Sequence, residues 1–108
     1  MAEFCTVTTT TDDRAAAERI ARAAVERRLG ACARIYPATS LYRWKGAIET
    51  AEETVLEIKT TAARRDGLEA LILELHPYEL PEIVVHPIVD GSEAYLAWLS
   101  EETGAGSG

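Results

Sequence analysis

Cysteine is scarce in this chain, and the scarcity narrows its chemistry. Two cysteines, Cys5 and Cys32, stand among 108 residues, too few for the disulfide framework of a small secreted domain. Both fall in segments that read as strand, so reduced core thiols are expected. Positive charge is also short. Eleven basic residues face 18 acidic ones, a net charge of −7, which argues against nucleic acid as a partner because phosphate binding needs a basic patch. No apolar run approaches the roughly 20 residues of a membrane-spanning helix. Met1-Ala2-Glu3-Phe4 opens without the basic and apolar regions of a secretory signal. A cytoplasmic location with no membrane partner is therefore expected. Catalytic signatures are missing too: there is no HExxH, no CxxC, no Ser or Cys in a nucleophile motif, and no glycine cluster to cradle phosphates. The chain reads as a non-enzyme with no organic cofactor.

What is present is ordinary globular composition, 47% hydrophobic and 27% charged, in a length that makes one domain near the size where oligomerisation helps. Phe4 to Thr11 is β-branched and reads as a strand. Asp12-Asp13 offers an N-cap to a helix whose Ala17, Ile20, Ala21, Ala24, Val25 and Leu29 form one apolar stripe. Gly30 falls where a left-handed terminating residue is wanted. Ala31 to Ile35 restarts as a strand, Tyr36-Pro37-Ala38-Thr39-Ser40 interrupts it with a bend, and Leu41 to Trp44 continues extended. Lys45-Gly46 turns the chain, and Ala47 to Thr61 returns, with Thr54, Leu56, Ile58 and Thr60 on one face and Val55, Glu57 and Lys59 on the other. Both arms of this hairpin exceed the usual strand of about 5–6 residues, so its far end is expected to pack outside the monomer.

Leu68, Leu71, Ile72 and Leu75 mark a second helix, with Gly67 weakening its first turn by about 1 kcal/mol relative to alanine. His76-Pro77 stops it, since the residue before a proline is pushed out of the helical region. Ile83 to Ile88 is a short strand that Pro87 confines to an edge or an end. Ser92 caps a closing helix whose Tyr95, Leu96, Trp98 and Leu99 supply apolar contacts. The expected domain spans residues 1–102, followed by a flexible tail at 103–108. The order β-α-β-β-α-β plus a helix predicts an α+β, ferredoxin-like sandwich. In it the first strand lies between the third and fourth. Its second and fourth strands are open edges that invite another subunit, a self-association into a cyclic homo-oligomer.

The stretch His76 to Pro87 holds both histidines, three of the four prolines, and Glu79 and Glu82. An imidazole at His76 with a carboxylate at Glu82 or Glu79 suits Cu(II) or Zn(II), which favour nitrogen and oxygen donors. One subunit supplies only part of a coordination shell. Glu49, Glu52, Glu53 and Glu57 read as a solvated hairpin face, and His86 as a structural histidine. Tyr42 and Trp44, with Tyr78, are candidates to line a cleft, the alternative being interface packing. Lys59 reads as a buried-stem lysine that pairs with Glu82 or another acid.

Several blocks in order carry a resemblance: Glu26-Arg27-Arg28-Leu29-Gly30-Ala31-Cys32-Ala33, Thr39-Ser40-Leu41-Tyr42-Arg43-Trp44-Lys45-Gly46, Leu56-Glu57-Ile58-Lys59-Thr60-Thr61, His76-Pro77-Tyr78-Glu79-Leu80-Pro81-Glu82-Ile83 and Tyr95-Leu96-Ala97-Trp98-Leu99. Over residues 4–102 the sequence resembles the CutA family of divalent-cation tolerance proteins. The resemblance implies a ferredoxin-like subunit in a homotrimer held by intersubunit strand pairing, similar to the PII signalling proteins. It also implies a link to copper and other divalent cations in the cytoplasm, and no enzymatic activity. Family metal contacts involve a first-strand cysteine, the histidine of the His-Pro motif and the glutamate of the Pro-Glu motif. His76 and Glu82 match, whereas the cysteine position falls near Thr9, a loss expected to weaken Cu(I) more than Cu(II) or Zn(II). The Pro37-to-Ser40 bend is one residue shorter than the usual glycine-containing version. Three functions follow as expectations. The first is a trimer that binds a divalent cation weakly at His76 and Glu82. The second is a PII-like module with an anionic ligand held by Lys59, Arg43, Tyr42 and Trp44 between subunits. The third is a ligand-free trimeric scaffold.

Overall fold

The computed structural model describes residues 3–104. Strand β1 (Phe4–Thr11) leads to helix α1 (Arg14–Glu26), then to β2 (Cys32–Trp44) and β3 (Ala47–Thr61). Helix α2 (Ala62–Leu75), β4 (Val84–Ile88) and α3 (Glu93–Glu102) complete the order. The strands form one antiparallel sheet in the order β2-β3-β1-β4. The ferredoxin-like expectation therefore holds, with β2 and β4 as edges and Cys5 and Cys32 as free thiols on strands that are not neighbours.

Alternation places the core. Cys5, Val7, Leu56 and Ile58 point from the sheet to Ile20, Ala21 and Ala24 of α1 and to Leu68, Leu71 and Ile72 of α2. Asp13 caps α1 by accepting the Ala15 N–H at 3.0 Å. Val25, placed in the stripe by spacing, is instead 44% exposed, while its neighbour Ala24 in the same turn is fully buried in the core. The left-handed residue after α1 is Arg28 (φ 58°), not Gly30. Glycine is required at position 30 for a different reason: a Cβ there would lie 2.3 Å from Ile58 Cγ2. Gly67 sits in the second turn of α2 rather than the first, since the helix begins at Ala62.

The expected bend at Tyr36 to Ser40 does not interrupt β2. Every residue from Cys32 to Trp44 pairs with β3, ending at Trp44↔Ala47, and Pro37 sits opposite Thr54 on the strand's free edge. Lys45 (φ 51°) and Gly46 (φ 84°) close the hairpin with the two left-handed residues of a tight primed turn. The last β1–β3 pair is Thr11↔Thr54. Past it only two strands continue, an arm extending about 23 Å at 3.3 Å per residue.

Helix α3 covers one end of the sheet face opposite α1 and α2. Leu96 lies beside Phe4 and Ile88, Thr103 beside Phe4 and Thr61, and the Tyr95 hydroxyl meets the Cys32 side chain. Of its four apolar residues only Leu99 is fully buried, while Tyr95 and Trp98 stack on each other at 5.5 Å and stay exposed. Thr103, the first residue after α3, is 1% exposed: its hydroxyl donates to the Leu99 carbonyl, and its own carbonyl accepts from Arg64 Nε at 2.9 Å. Residues 105–108 lie outside the described residues.

Candidate functional site

Pro77 makes the site possible by ending α2. His76 is pushed to φ −74° and ψ 135°, which leaves its N–H on the Ile72 carbonyl but turns its side chain toward β1. The imidazole is 7% exposed. Its Nε2 lies 2.8 Å from the Thr10 carbonyl oxygen, and its Nδ1 accepts the Tyr78 N–H at 3.1 Å. An Nδ1 that accepts leaves the ring proton on Nε2, where it is donated to Thr10. Both nitrogens are thus occupied by backbone. The Tyr78 ring stands edge-on to the imidazole at 4.7 Å.

Tyr78 carries the clamp further. Its hydroxyl accepts the Asp12 N–H at 2.8 Å. Burial pushes the phenol above its usual range, the bond from the Asp12 backbone works against that, and the negative charges of Asp12 and Glu53 add to it. Glu82 Oε1 sits 3.4 Å from the Thr10 hydroxyl. Three residues of the proline-rich segment therefore hold the end of β1: His76 at the Thr10 carbonyl, Glu82 at the Thr10 hydroxyl, and Tyr78 at Asp12. Thr9, one position earlier, is 1% exposed, and its hydroxyl has no hydrogen-bond partner among the described residues.

The sequence-derived candidates thus divide. His76, Tyr78 and Glu82 come together around Thr10. Tyr42 and Trp44 stand at the tip of the arm, 44% and 55% exposed. Lys59 lies at the root, paired in register with Thr6 and Cys32, about 40 Å of strand from Trp44. It makes no ion pair among the described residues, so the expected bond to Glu82 is absent. The reason is topological: Glu82 precedes β4 at the far end of β1, beside Thr10, whereas Lys59 pairs near its start. Asp12 and Glu53 were not foreseen as neighbours of Tyr78; Asp12 reads as a helix cap, and nothing in the spacing of Glu53 points to a tyrosine 25 residues away. Among the described residues no three of His, Cys, Asp and Glu converge on a point where a metal would be held. The local donor set is one imidazole and one carboxylate.

Residues 5–102 match the profile of the CutA1 divalent ion tolerance protein family. The chain belongs to the CutA1 family. A divalent-cation tolerance protein CutA of Thermus thermophilus is 47% identical over 89 residues, covering 82% of this chain and 86% of that protein. Human protein CutA is 41% identical over 88 residues, 81% of this chain, which spans about half the length of that relative. The CutA structure of Synechococcus elongatus superposes with a TM-score of 0.91 at 38% identity, covering 96% of this chain and 93% of that one. The CutA1 of Thermus thermophilus superposes with a TM-score of 0.88 at 43% identity, over 94% and 99%. The α+β fold with its four-stranded antiparallel sheet is thus that of CutA structures. The Thermus thermophilus protein is named for tolerance of divalent cations, and the human and Synechococcus elongatus proteins are named CutA alone.

Proposed function

We propose that this chain serves divalent-cation tolerance as a cytoplasmic homotrimer that takes up a cation such as Cu(II) weakly at His76 and Glu82. One observation carries the reading: an imidazole and a carboxylate meet on the same residue, His76 Nε2 at the Thr10 carbonyl and Glu82 Oε1 at the Thr10 hydroxyl. For the imidazole to ligate, Nδ1 releases the Tyr78 N–H and turns its lone pair to the cation. That exchange costs a hydrogen bond at each binding event, so affinity is low. Nitrogen and oxygen donors suit Cu(II) or Zn(II), and without a thiol at Thr9 the soft Cu(I) ion loses most. Water or a neighbouring subunit completes the shell. The two free cysteines fit a reducing compartment.

A second reading has its own support. Because both His76 nitrogens are satisfied, the residue also serves as a clamp in a scaffold that needs no ligand. Native mass spectrometry of the protein titrated with Cu(II) and Zn(II) separates the two. A trimer that takes up three ions, and loses them in both His76→Ala and Glu82→Gln, supports the metal site. Uptake unchanged in Glu82→Gln removes that residue as a ligand. A trimer that stays metal-free through a large cation excess leaves the clamp reading standing.

A further inference from the structure

Both nitrogens of His76 are held by main chain, and the two bonds are not equivalent. Nε2 gives its proton to the Thr10 carbonyl, and Nδ1 takes the Tyr78 N–H. Ligation through Nε2 would need that proton moved to Nδ1, where it would face a second N–H, so both bonds would be lost. Ligation through Nδ1 costs only the bond to Tyr78. The Thr10 carbonyl meanwhile keeps the proton on Nε2 and orients the ring, as a main-chain carbonyl commonly does behind a ligating imidazole. The lone pair open to a cation is therefore that of Nδ1, and Tyr78 stands on it.

Tyr78 is not free to step aside. Its hydroxyl accepts the Asp12 N–H at 2.8 Å, and its ring stands edge-on to the imidazole at 4.7 Å. Pro77 stiffens the main chain just before it. The charges of Asp12 and Glu53 both act on its phenol. Asp12 joins β1 to the Asp13 cap of α1, and Glu53 adjoins Thr54, the β3 partner of Thr11. One side chain thus ties the N–H that covers Nδ1 to the place where β1, α1 and the root of the arm meet. Asp12 and Tyr78 are both exposed, so water can replace their partners and the two bonds can open at modest cost.

We infer that Tyr78 is a latch on the cation site: its hydroxyl, anchored on the Asp12 N–H, holds its own N–H against His76 Nδ1 and so sets how readily that nitrogen ligates. This rests on the metal reading of His76 and adds the ligating atom and the residue that restrains it. Tyr78 is a positioning residue that acts through His76. The coupling is mutual, so a change that loosens the latch strengthens cation binding, and cation binding loosens the latch.

Tyr78→Phe tests it, because phenylalanine keeps the ring against the imidazole and removes only the hydroxyl. The probe is Zn(II), followed by nitrogen NMR of the His76 ring and by hydrogen exchange of single amides, with far-UV circular dichroism to check the fold. In the wild type, Zn(II) should shift the Nδ1 resonance while Nε2 keeps its proton, and the Tyr78 and Asp12 amides should exchange faster together. Tyr78→Phe should bind Zn(II) about fivefold more tightly, the worth of one hydrogen bond, and its Asp12 amide should exchange fast before any Zn(II) is added. Equal or weaker binding in the folded variant, with Nδ1 shifted in both proteins, overturns the latch and leaves the metal reading intact. A shift at Nε2 in place of Nδ1 does the same. No response of either ring nitrogen in the wild type or in Tyr78→Phe removes the metal reading and the latch together.

Discussion

At the scale of single residues, three buried threonines show how context sets the worth of one hydroxyl. Thr11 accepts the Asp13 N–H at 3.1 Å, and Thr60 donates to the Leu29 carbonyl at 2.6 Å, whereas the Thr9 hydroxyl has no partner among the described residues. A buried hydroxyl without a bond costs about 1–3 kcal/mol, while a satisfied one contributes about 1 kcal/mol. Thr9→Val should therefore raise the unfolding free energy by about 1 kcal/mol, and Thr60→Val should lower it by a similar amount. Urea unfolding of the two variants side by side reads both signs. His76→Ala is expected to cost about 2–4 kcal/mol, because it strands the Thr10 carbonyl and the Tyr78 N–H together. A melting temperature unchanged in that variant would contradict the clamp. The His-Pro pair announces a helix stop in the sequence, but its acceptor does not: a main-chain carbonyl 66 positions away leaves no trace in residue type.

At the scale of elements, two glycines near the helices behave oppositely. At Gly30 a Cβ would meet Ile58 Cγ2 at 2.3 Å, in the middle of the core, so Gly30→Ala should cost about 1–3 kcal/mol by overpacking. At Gly67 the nearest neighbour is Leu29 Cδ2 at 3.0 Å, the far end of a side chain that can turn aside. Gly67→Ala should therefore stabilise α2 by up to about 1 kcal/mol through helix propensity. Thermal melts of the two alanine variants should move in opposite directions, and a shared direction would mean that Leu29 is held too firmly to yield. Helix limits and strand alternation were legible because they follow local spacing. The role of Gly30 was not, because it depends on Ile58 in β3, which no window around α1 contains. Pro37 likewise suggested a bend, but on a free edge its missing N–H breaks no ladder bond, so the strand runs through.

At the scale of the whole molecule, shape and titration follow from the same few elements. The radius of gyration is 14.6 Å, above the about 13 Å of a compact chain this long, and the protruding arm accounts for the excess. The topology was legible because strand order and edge positions follow from the element sequence alone, whereas the separation of Lys59 from Glu82 required the register. Titration adds a property no single element has. Burial pushes the Cys5 thiol above its ordinary value of 9.0, with Arg65 opposing, and raises Tyr78 and Tyr95 above 10.0, while the hydrogen bond to Glu57 raises the exposed Tyr36. Each of these groups holds its proton more tightly folded than unfolded. As pH rises past about 9, the unfolded chain releases protons first, so it binds fewer than the folded chain and stability falls with pH. The contribution is fully present below pH 9 and is lost as pH climbs through the raised folded values. Urea midpoints measured from pH 8 to 10.5 should decline steadily above pH 9, and replacing Cys5 by alanine should delay the onset while lowering the plateau. A midpoint that stays level to pH 10.5 would mean that these thiol and phenol groups ionise as readily folded as unfolded, and that neither burial nor the Glu57 hydrogen bond restrains their protons.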